Sequence, residues 1–324
     1  MDPVRWGILS TADINNKVLA GAAESPDVEV VAVGSRDLGR AEELARRHGI
    51  HRAYGSYEEL LADADVEAVY IPLPNTLHCE WSIRAVEAGK HVLCEKPMSR
   101  HPGDVEAAFA AAAREGRLLS EAFMYRHHPQ TARVVELVRG GAIGELRLVR
   151  SAFSYTLFDP DNIRLRTDVE GGALMDVGCY CVSGSRLLAG EPESVFGRAY
   201  VGPTGTDWVF TGSLRFADGV LGIFDCGTTL AGRDELEAIG TEGSLFLDDP
   251  WHCNEPVIEL RRKRGVERIE AERGNPYRLE LENFGAAIRG QGSPLLGRED
   301  AVAQARVIEA LFGSAETGGS VELG

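Results

Sequence analysis

A doubly wound parallel α/β domain, followed by an α+β domain with a large, open, predominantly antiparallel sheet, is predicted for this 324-residue chain. Three observations predict it. In the first third, short runs that are apolar throughout alternate with amphipathic helical stretches, the pattern of strands covered on both faces by crossover helices. From about residue 143 onward, strand candidates follow one another with hairpin-like turns between them. The length suits about two domains of roughly 150 residues each. The boundary is drawn between a domain of residues 1–122 and one of 123–324, with the terminal helix expected to pack back on the first domain.

The strands of the first domain are expected at 4–9, 28–33, 68–71, 91–94 and 118–120, with helical patterns at about 13–24, 38–48, 56–63, 75–88 and 102–115. In such a fold the ligand edge is the carboxyl end of the strands. Further on, a helix at about 129–139 and the turn Gly140-Gly141 lead to a strand within 143–155. Further strand candidates lie at 194–200, 208–216, 220–226, 235–240, 244–247 and 257–261, with turns at Ala217-Asp218-Gly219 and Thr241-Glu242-Gly243. A long helix starts near Ala173, and helices near 276–289 and 298–316 close the chain. A sheet of this kind needs cover on both faces, so one face is expected to pack on helices and the other on a second subunit, giving a homodimer or a dimer of dimers.

Composition narrows the partners. Hydrophobic residues make up 44% and charged residues 26%, as in ordinary globular chains. A net charge of −16 speaks against nucleic acid or an anionic membrane, which need a basic face. An anionic cofactor would have to be held by local arginines and backbone amides. The six cysteines form no CxxC pair, which fits reduced thiols; Cys179-Tyr180-Cys181 reads as a buried helical segment rather than a metal pair. The chain enters its first strand without a signal-peptide apolar region, and no run approaches eighteen apolar residues, so a cytoplasmic protein is expected.

At the ligand edge, the first strand-to-helix turn runs Ser10-Thr11-Ala12-Asp13-Ile14-Asn15, a G-x-G-x-x-G fingerprint whose glycines are replaced by Ser10, Ala12 and Asn15. Small residues still let the backbone approach a pyrophosphate at the start of a helix. Asp13 suits a helix cap better than a phosphate neighbour. The second strand ends in Ser35-Arg36-Asp37 with Arg40 one helical turn on, a donor and two guanidiniums where an NAD site would place a carboxylate. That chemistry suits the 2′-phosphate of NADP rather than NAD. The loop Pro72-Leu73-Pro74-Asn75, closed by His78, is stiffened by its prolines, and Asn75 is expected to cap the helix that follows. Lys96, in Glu95-Lys96-Pro97 at the end of an apolar strand, reads as the catalytic centre. The adjacent His127 and His128 diverge and offer no metal site, and no metal is expected elsewhere.

In order, these segments together with Glu121-Ala122-Phe123-Met124 and Gly171-Gly172-Ala173-Leu174-Met175-Asp176-Val177-Gly178-Cys179-Tyr180 resemble the Gfo/Idh/MocA oxidoreductase family. The likeness covers essentially the whole chain and is greatest to the branch of NADP-dependent D-xylose 1-dehydrogenases and dimeric trans-1,2-dihydrodiol dehydrogenases. It implies a Rossmann domain for the cofactor, a second domain for substrate and dimerisation, a cis Lys96-Pro97 bond, and Glu95 and Glu121 in the cofactor site. Asp176 and Tyr180, four residues apart, are expected on one helix face. The family usually has Asp and His there; Tyr180 in place of the His matches the dihydrodiol branch, where lysine and tyrosine form the acid–base pair. The implied reaction is hydride transfer between a sugar or cyclic vicinal diol and NADP, with Lys96 and Tyr180 as acid and base and Asp176 orienting the substrate or Lys96. Arg126, Asn162, Arg164 and Tyr277 are candidate substrate contacts. A family glycosidase working through tightly held NAD, and a non-catalytic NADP(H) sensor, are the competing readings.

Overall fold

The structure is a computed structural model that describes residues 2–157, 159 and 161–323. In chain order it contains β1 (Val4–Leu9), α1 (Asn15–Ala23), β2 (Val28–Gly34), α2 (Leu38–His48), β3 (Arg52–Tyr54), α3 (Tyr57–Leu61), β4 (Ala68–Ile71), α4 (His78–Glu87), β5 (His91–Glu95), α5 (Pro102–Arg114) and β6 (Leu119–Ala122). There follow α6 (Pro129–Arg139), β7 (Leu146–Thr156), α7 (Cys179–Ala189), β8 (Pro192–Val201), β9 (Asp207–Phe216), β10 (Leu221–Gly227), β11 (Thr229–Gly240), β12 (Ser244–Leu247), β13 (Val257–Arg262), β14 (Gly265–Glu270), α8 (Pro276–Ile288), α9 (Arg298–Thr317) and β15 (Val321–Glu322). Two compact units emerge, one of residues 1–127 and 275–302, the other of 128–274 and 303–324. The segment 275–302, which a cut at 122/123 assigns to the second domain, thus belongs with the first unit.

In the first unit a six-stranded sheet has the order β3-β2-β1-β4-β5-β6, every pair parallel. The chain reverses its direction across the sheet between β1 and β4, which makes the crevice there the natural ligand position. Trp6, Ile8, Val33, Tyr70 and Leu93 lie in one buried cluster, closed by Leu281 and Phe284 of α8. Trp6 meets Phe284 at a ring-centroid distance of 5.9 Å. Gly21 on α1 allows this closure, since a Cβ there would stand 2.7 Å from the Arg278 amide nitrogen.

The second unit is built on a nine-stranded sheet of order β14-β13-β12-β11-β7-β10-β9-β8-β15, antiparallel except for the parallel pair β7–β10. One face is covered: on β7, Val149, Ser151 and Phe153 are buried, and on β11 their neighbours Leu236 and Ala238 are buried with them. The other face carries Leu221 and Ile223 of β10, 51% and 43% exposed, with Arg150 of β7 beside Ile223. Among the described residues no helix is long and apolar enough to cross a membrane.

Candidate active site

Four strands of the first unit deliver the expected residues to one sheet edge. Ser10, directly after β1, adopts φ = 125°, a region that favours glycine and strains other residues by about 1–3 kcal/mol. Its surroundings hold it there: its N–H donates to the Gly34 carbonyl (2.9 Å), its Oγ donates to the Pro72 carbonyl (3.1 Å), and its own carbonyl accepts from Asn15 Nδ2 (2.8 Å). Ser10 Oγ also accepts from the Ala12 amide at 3.2 Å. The turn therefore keeps a glycine-like backbone without glycine, and the fully buried Asn15 is its brace. Thr11, Ala12 and Ile14 are half-buried along it. Asp13 is not the helix cap the sequence suggests: its side chain is exposed and α1 has no side-chain cap, because the turn closes through backbone bonds.

At the end of β2, Ser35 is buried and its Oγ accepts from the Asp37 amide, while Asp37 caps α2 by accepting from the Arg40 amide at 3.2 Å. Arg36 and Arg40 are exposed, and among the described residues neither forms an ion pair with a carboxylate. The positive charges of both act on the nearby Tyr57 phenol, Arg36 more strongly than Arg40. The Tyr57 ring is fixed edge-on against Trp81 at 4.9 Å. Nothing in the sequence pattern singled out Tyr57, which reads as an ordinary first-turn residue of α3.

After β4, Pro72 and Leu73 are buried and Pro74 is half-buried. Asn75 is not an α-helix cap as expected: it opens a three-residue 3₁₀ turn, Asn75–Leu77, and α4 starts only at His78. His78 is buried with Nδ1 2.9 Å from the Pro97 carbonyl and Nε2 2.7 Å from the Leu73 carbonyl. Burial, helped by the positive charge of Lys96, outweighs those two acceptors and pushes its pKa down to about 4. His78 is thus neutral near pH 7 and donates to only one of the two carbonyls between which it is lodged, those of Leu73 and Pro97.

That segment is fixed from several directions. The Lys96-Pro97 bond is cis. The Lys96 amide donates to Glu95 Oε2 (3.1 Å), and Glu95 Oε1 accepts from the buried Tyr70 hydroxyl (2.5 Å). The next amide, of Met98, donates to Glu121 Oε1 at 2.7 Å. Glu121, 1% exposed on β6, thus supports the lysine loop from beneath. Around the half-buried Glu95 lie the buried Tyr70 and Glu280 and the half-buried Tyr277. Burial, reinforced by the Glu95 charge, pushes Glu280 well above the usual carboxyl range and raises the Tyr277 phenol as well. Burial first, then Glu95, does the same to Tyr70. Tyr277, a candidate substrate contact from its sequence position, lies on α8, partly buried against the core of the first unit. Arg126 pairs with Asp300 at 3.6 Å, and His127 approaches Glu280 at 3.9 Å.

In the second unit the Asp176 and Tyr180 segment starts on a buried carboxylate. Asp207 Oδ2 accepts from the Leu174 amide at 2.7 Å, and Gly172 makes room for it with φ = 124°, where a Cβ would collide with the Asp207 carboxylate. The long helix expected from Ala173 opens as a π-turn, Leu174–Gly178, before α7 begins at Cys179. Such wider turns recur at functional sites, and they break the plain four-residue face on which the Asp176–Tyr180 spacing was read. Asp176 is partly exposed; its Oδ2 accepts from the Tyr155 hydroxyl (2.5 Å) and its Oδ1 from Arg164 Nε (3.3 Å). Asn162 caps the short turn Ile163–Leu165 through the Arg164 amide. Tyr180 is 6% exposed, set edge-on to Phe153 at 5.3 Å and tilted against Trp251 at 5.9 Å. The sequence reading missed Tyr155, although it alternates in phase with Ser151 and Phe153 on β7. It also missed Asp234, Asp249 and His252, which bring one ligand atom each within 4.8 Å of one another.

Comparison with known proteins agrees with this geometry. Residues 4–123 match the model of an oxidoreductase family with an NAD-binding Rossmann fold, GFO_IDH_MocA, and residues 131–246 match the GFO/IDH/MocA C-terminal domain. A D-xylose 1-dehydrogenase (NADP(+)) of Haloferax volcanii is 38% identical over 98% of this chain and 99% of its own. A mouse trans-1,2-dihydrobenzene-1,2-diol dehydrogenase is 36% identical over 80% and 79%. The crystal structure of a 3-ketoreductase from Actinomadura kijaniata with NADP and TDP-benzene superimposes with a TM-score of 0.91 at 32% identity, covering 96% of this chain and 98% of that one. The same ketoreductase has been solved with a lysine changed to alanine and with a tyrosine changed to phenylalanine. With its parallel dinucleotide-fold sheet, its Glu95-Lys96-Pro97 edge and matches spanning both halves, the chain belongs to the Gfo/Idh/MocA family of oxidoreductases.

Proposed function

We propose that this oxidoreductase is an NADP-dependent dehydrogenase that moves a hydride between a hydroxyl-bearing carbon of a sugar or cyclic vicinal diol and the nicotinamide. One observation carries the reading: Lys96 leaves β5 at the sheet edge that also presents Ser10, Ser35 and Arg36, with its backbone held by Glu95 and the Met98 amide, two residues on, held by Glu121. The substrates named for the relatives, D-xylose and a trans-dihydrodiol, share a hydroxyl-bearing carbon as the hydride donor. Bound NADP⁺ would supply the hydride acceptor.

The first unit is assigned the cofactor. The amides of Ser10 to Ile14 suit the pyrophosphate, Asp13 contributing backbone only, since its carboxylate would repel it. Ser35, Arg36 and Arg40 suit the 2′-phosphate. The loop from Pro72 to Asn75 suits the ribose side, with His78, Glu95 and Glu121 acting through the backbone they hold. The second unit is assigned the substrate. Tyr180 takes the hydroxyl proton, and since a free phenol has a pKa of about 10, the charge of Lys96 is assigned the task of lowering it. Asp176, held by Tyr155, orients substrate hydroxyls, with Asn162, Arg164 and Arg126 as further polar contacts. In the reverse direction the same groups return the proton to a carbonyl.

The test is NADP⁺ reduction by the purified protein across aldoses, inositols and trans-dihydrodiols, with NAD⁺ in parallel. Turnover with NADP⁺ preferred is the expected result. Silence across the panel despite tight NADP binding would replace this reading with a non-catalytic sensor, and a firm preference for tightly held NAD would point to the glycosidase branch.

The open face of the nine-stranded sheet is assigned to a homodimer, because Leu221 and Ile223 lie exposed between charged neighbours on an otherwise folded sheet. Ile223→Glu is expected to shift the mass in solution from dimer to monomer by light scattering. An unchanged mass would place the interface elsewhere.

A further inference from the structure

The sheet geometry of the second unit extends the substrate face beyond Tyr180 and Asp176. Phe153 and Tyr155 stand two residues apart on β7 and so share the covered face. Phe153 is directly opposite Asp234 of β11, which therefore projects on that face too. Tyr155 holds Asp176, and Phe153 packs on Tyr180. The other edge-on neighbour of Phe153 is His252, at 5.4 Å and 84°. One patch thus carries Asp176, Tyr155, Tyr180, Phe153, Asp234 and His252.

The His252 ring is held in one orientation. Its Nδ1 lies 2.5 Å from Asp234 Oδ2, and Asp234 Oδ1 in turn accepts from the Trp251 amide at 3.1 Å. The Trp251 side chain is fully buried and donates from Nε1 to the Ala152 carbonyl at 3.1 Å, which anchors the loop. A carboxylate only accepts, so Nδ1 donates to Asp234 and Nε2 is the ring nitrogen left for a ligand. The His252 side chain is 37% exposed, so the ring is within reach of a ligand. Asp249 completes a set with metal-like spacing. Its Oδ2, however, already accepts from the amides of Asn254 and Glu255, at 2.5 and 2.9 Å. The carboxylates are satisfied without a cation.

We propose that His252, oriented by Asp234, is a specificity-determining residue that accepts a hydrogen bond through Nε2 from a substrate hydroxyl remote from the carbon that gives up hydride. This rests on the dehydrogenase reading above. It predicts a polyol substrate that needs a hydroxyl at one particular position.

The test compares wild type, His252→Ala and His252→Gln on aldopyranoses such as D-xylose and on their monodeoxy analogues, with long-range ¹H–¹⁵N spectra of the imidazoles recorded in wild type with NADPH and sugar. The His252 signals are assigned by their loss in His252→Gln. His252→Ala is expected to raise KM about tenfold for one hydroxyl pattern while kcat changes less than about twofold, since one hydrogen bond is worth about 1.4 kcal/mol. His252→Gln, with an acceptor near the Nε2 position, is expected to recover most of that loss. The deoxy sugar lacking the contacted hydroxyl is expected to be equally poor for wild type and His252→Ala. The Nε2 resonance of His252 is expected to move on adding sugar. Wild-type turnover with neither KM nor the resonance affected overturns the proposal and leaves the dehydrogenase reading standing. A resonance that moves with sugar in a protein without turnover sustains the proposal and overturns the dehydrogenase reading. A resonance that moves with Zn²⁺ but not with sugar overturns the proposal in favour of a metal site.

Discussion

Tyr180→Phe is expected to lower kcat for NADP⁺ reduction by about 10²–10⁴-fold, the range for losing a positioned proton acceptor, with the NADP⁺ dissociation constant unchanged. The substitution keeps the ring that packs against Phe153 and Trp251, so folding and cofactor binding should be left intact. Lys96→Ala should cost a similar factor, because a phenol near pKa 10 without a neighbouring cation is a poor base at neutral pH. Groups that act as a unit show strongly non-additive losses, so the double variant is expected to be little worse than either single one. Two losses that simply multiply would assign Lys96 and Tyr180 to separate steps, and near-normal turnover by Tyr180→Phe would remove the tyrosine from the chemistry altogether. The measurement is steady-state kcat and KM for each variant, with cofactor binding followed independently by NADPH fluorescence.

Much of this arrangement is legible in the sequence because burial writes a clear signal. The strands β1, β4 and β12 fall at 4–9, 68–71 and 244–247, where short, mainly apolar runs predict them. Strands without such runs escape: β3 is only Arg52-Ala53-Tyr54, and β14 is an exposed edge reading Gly265-Val266-Glu267-Arg268-Ile269-Glu270. The lysine edge is legible in residue types, whereas its supports are not. Glu121 and His78 act through the backbone of Met98, Pro97 and Leu73, contacts that no spacing rule encodes. The π-turn before Cys179 is equally silent, since an apolar helix reads the same with one wider turn. The Asp234–His252 pair depends on the turn after β12 folding back onto β11, and the alignment of Asp234 with Phe153 on the β7–β11 register. The packing of 275–302 into the first unit turns on the fit of α8 against α1 at Gly21, a close approach that the glycine permits but does not announce.

Arg36→Ala is expected to weaken NADP⁺ binding by about 10–100-fold while leaving NAD⁺ binding within about twofold. A hydrogen bond to a charged group is worth about 1.5–3 kcal/mol, and a guanidinium fork facing a phosphate makes such bonds. Arg36 is suited to that role because no carboxylate competes for it among the described residues and the Tyr57 phenol on which its charge acts is neutral. Tyr57 is kept neutral by burial, which raises its pKa against the opposing pull of Arg36 and Arg40. Moving Arg36 toward a phosphate therefore breaks no ion pair. Arg40→Ala should cost less, since its backbone amide serves the Asp37 cap whatever its side chain, and the two substitutions together should bring the two cofactors close to parity. Tyr57→Phe is expected to change NADP⁺ binding only a few-fold, since it removes a neutral hydroxyl near Arg36 and no charge. Dissociation constants for both cofactors at two ionic strengths decide the matter: the NADP⁺ preference of wild type should fall as salt rises, and that salt dependence should be reduced in Arg36→Ala. Equal weakening of NAD⁺ and NADP⁺ by Arg36→Ala would assign Arg36 to the shape of the β2 edge and would leave the 2′-phosphate to other groups.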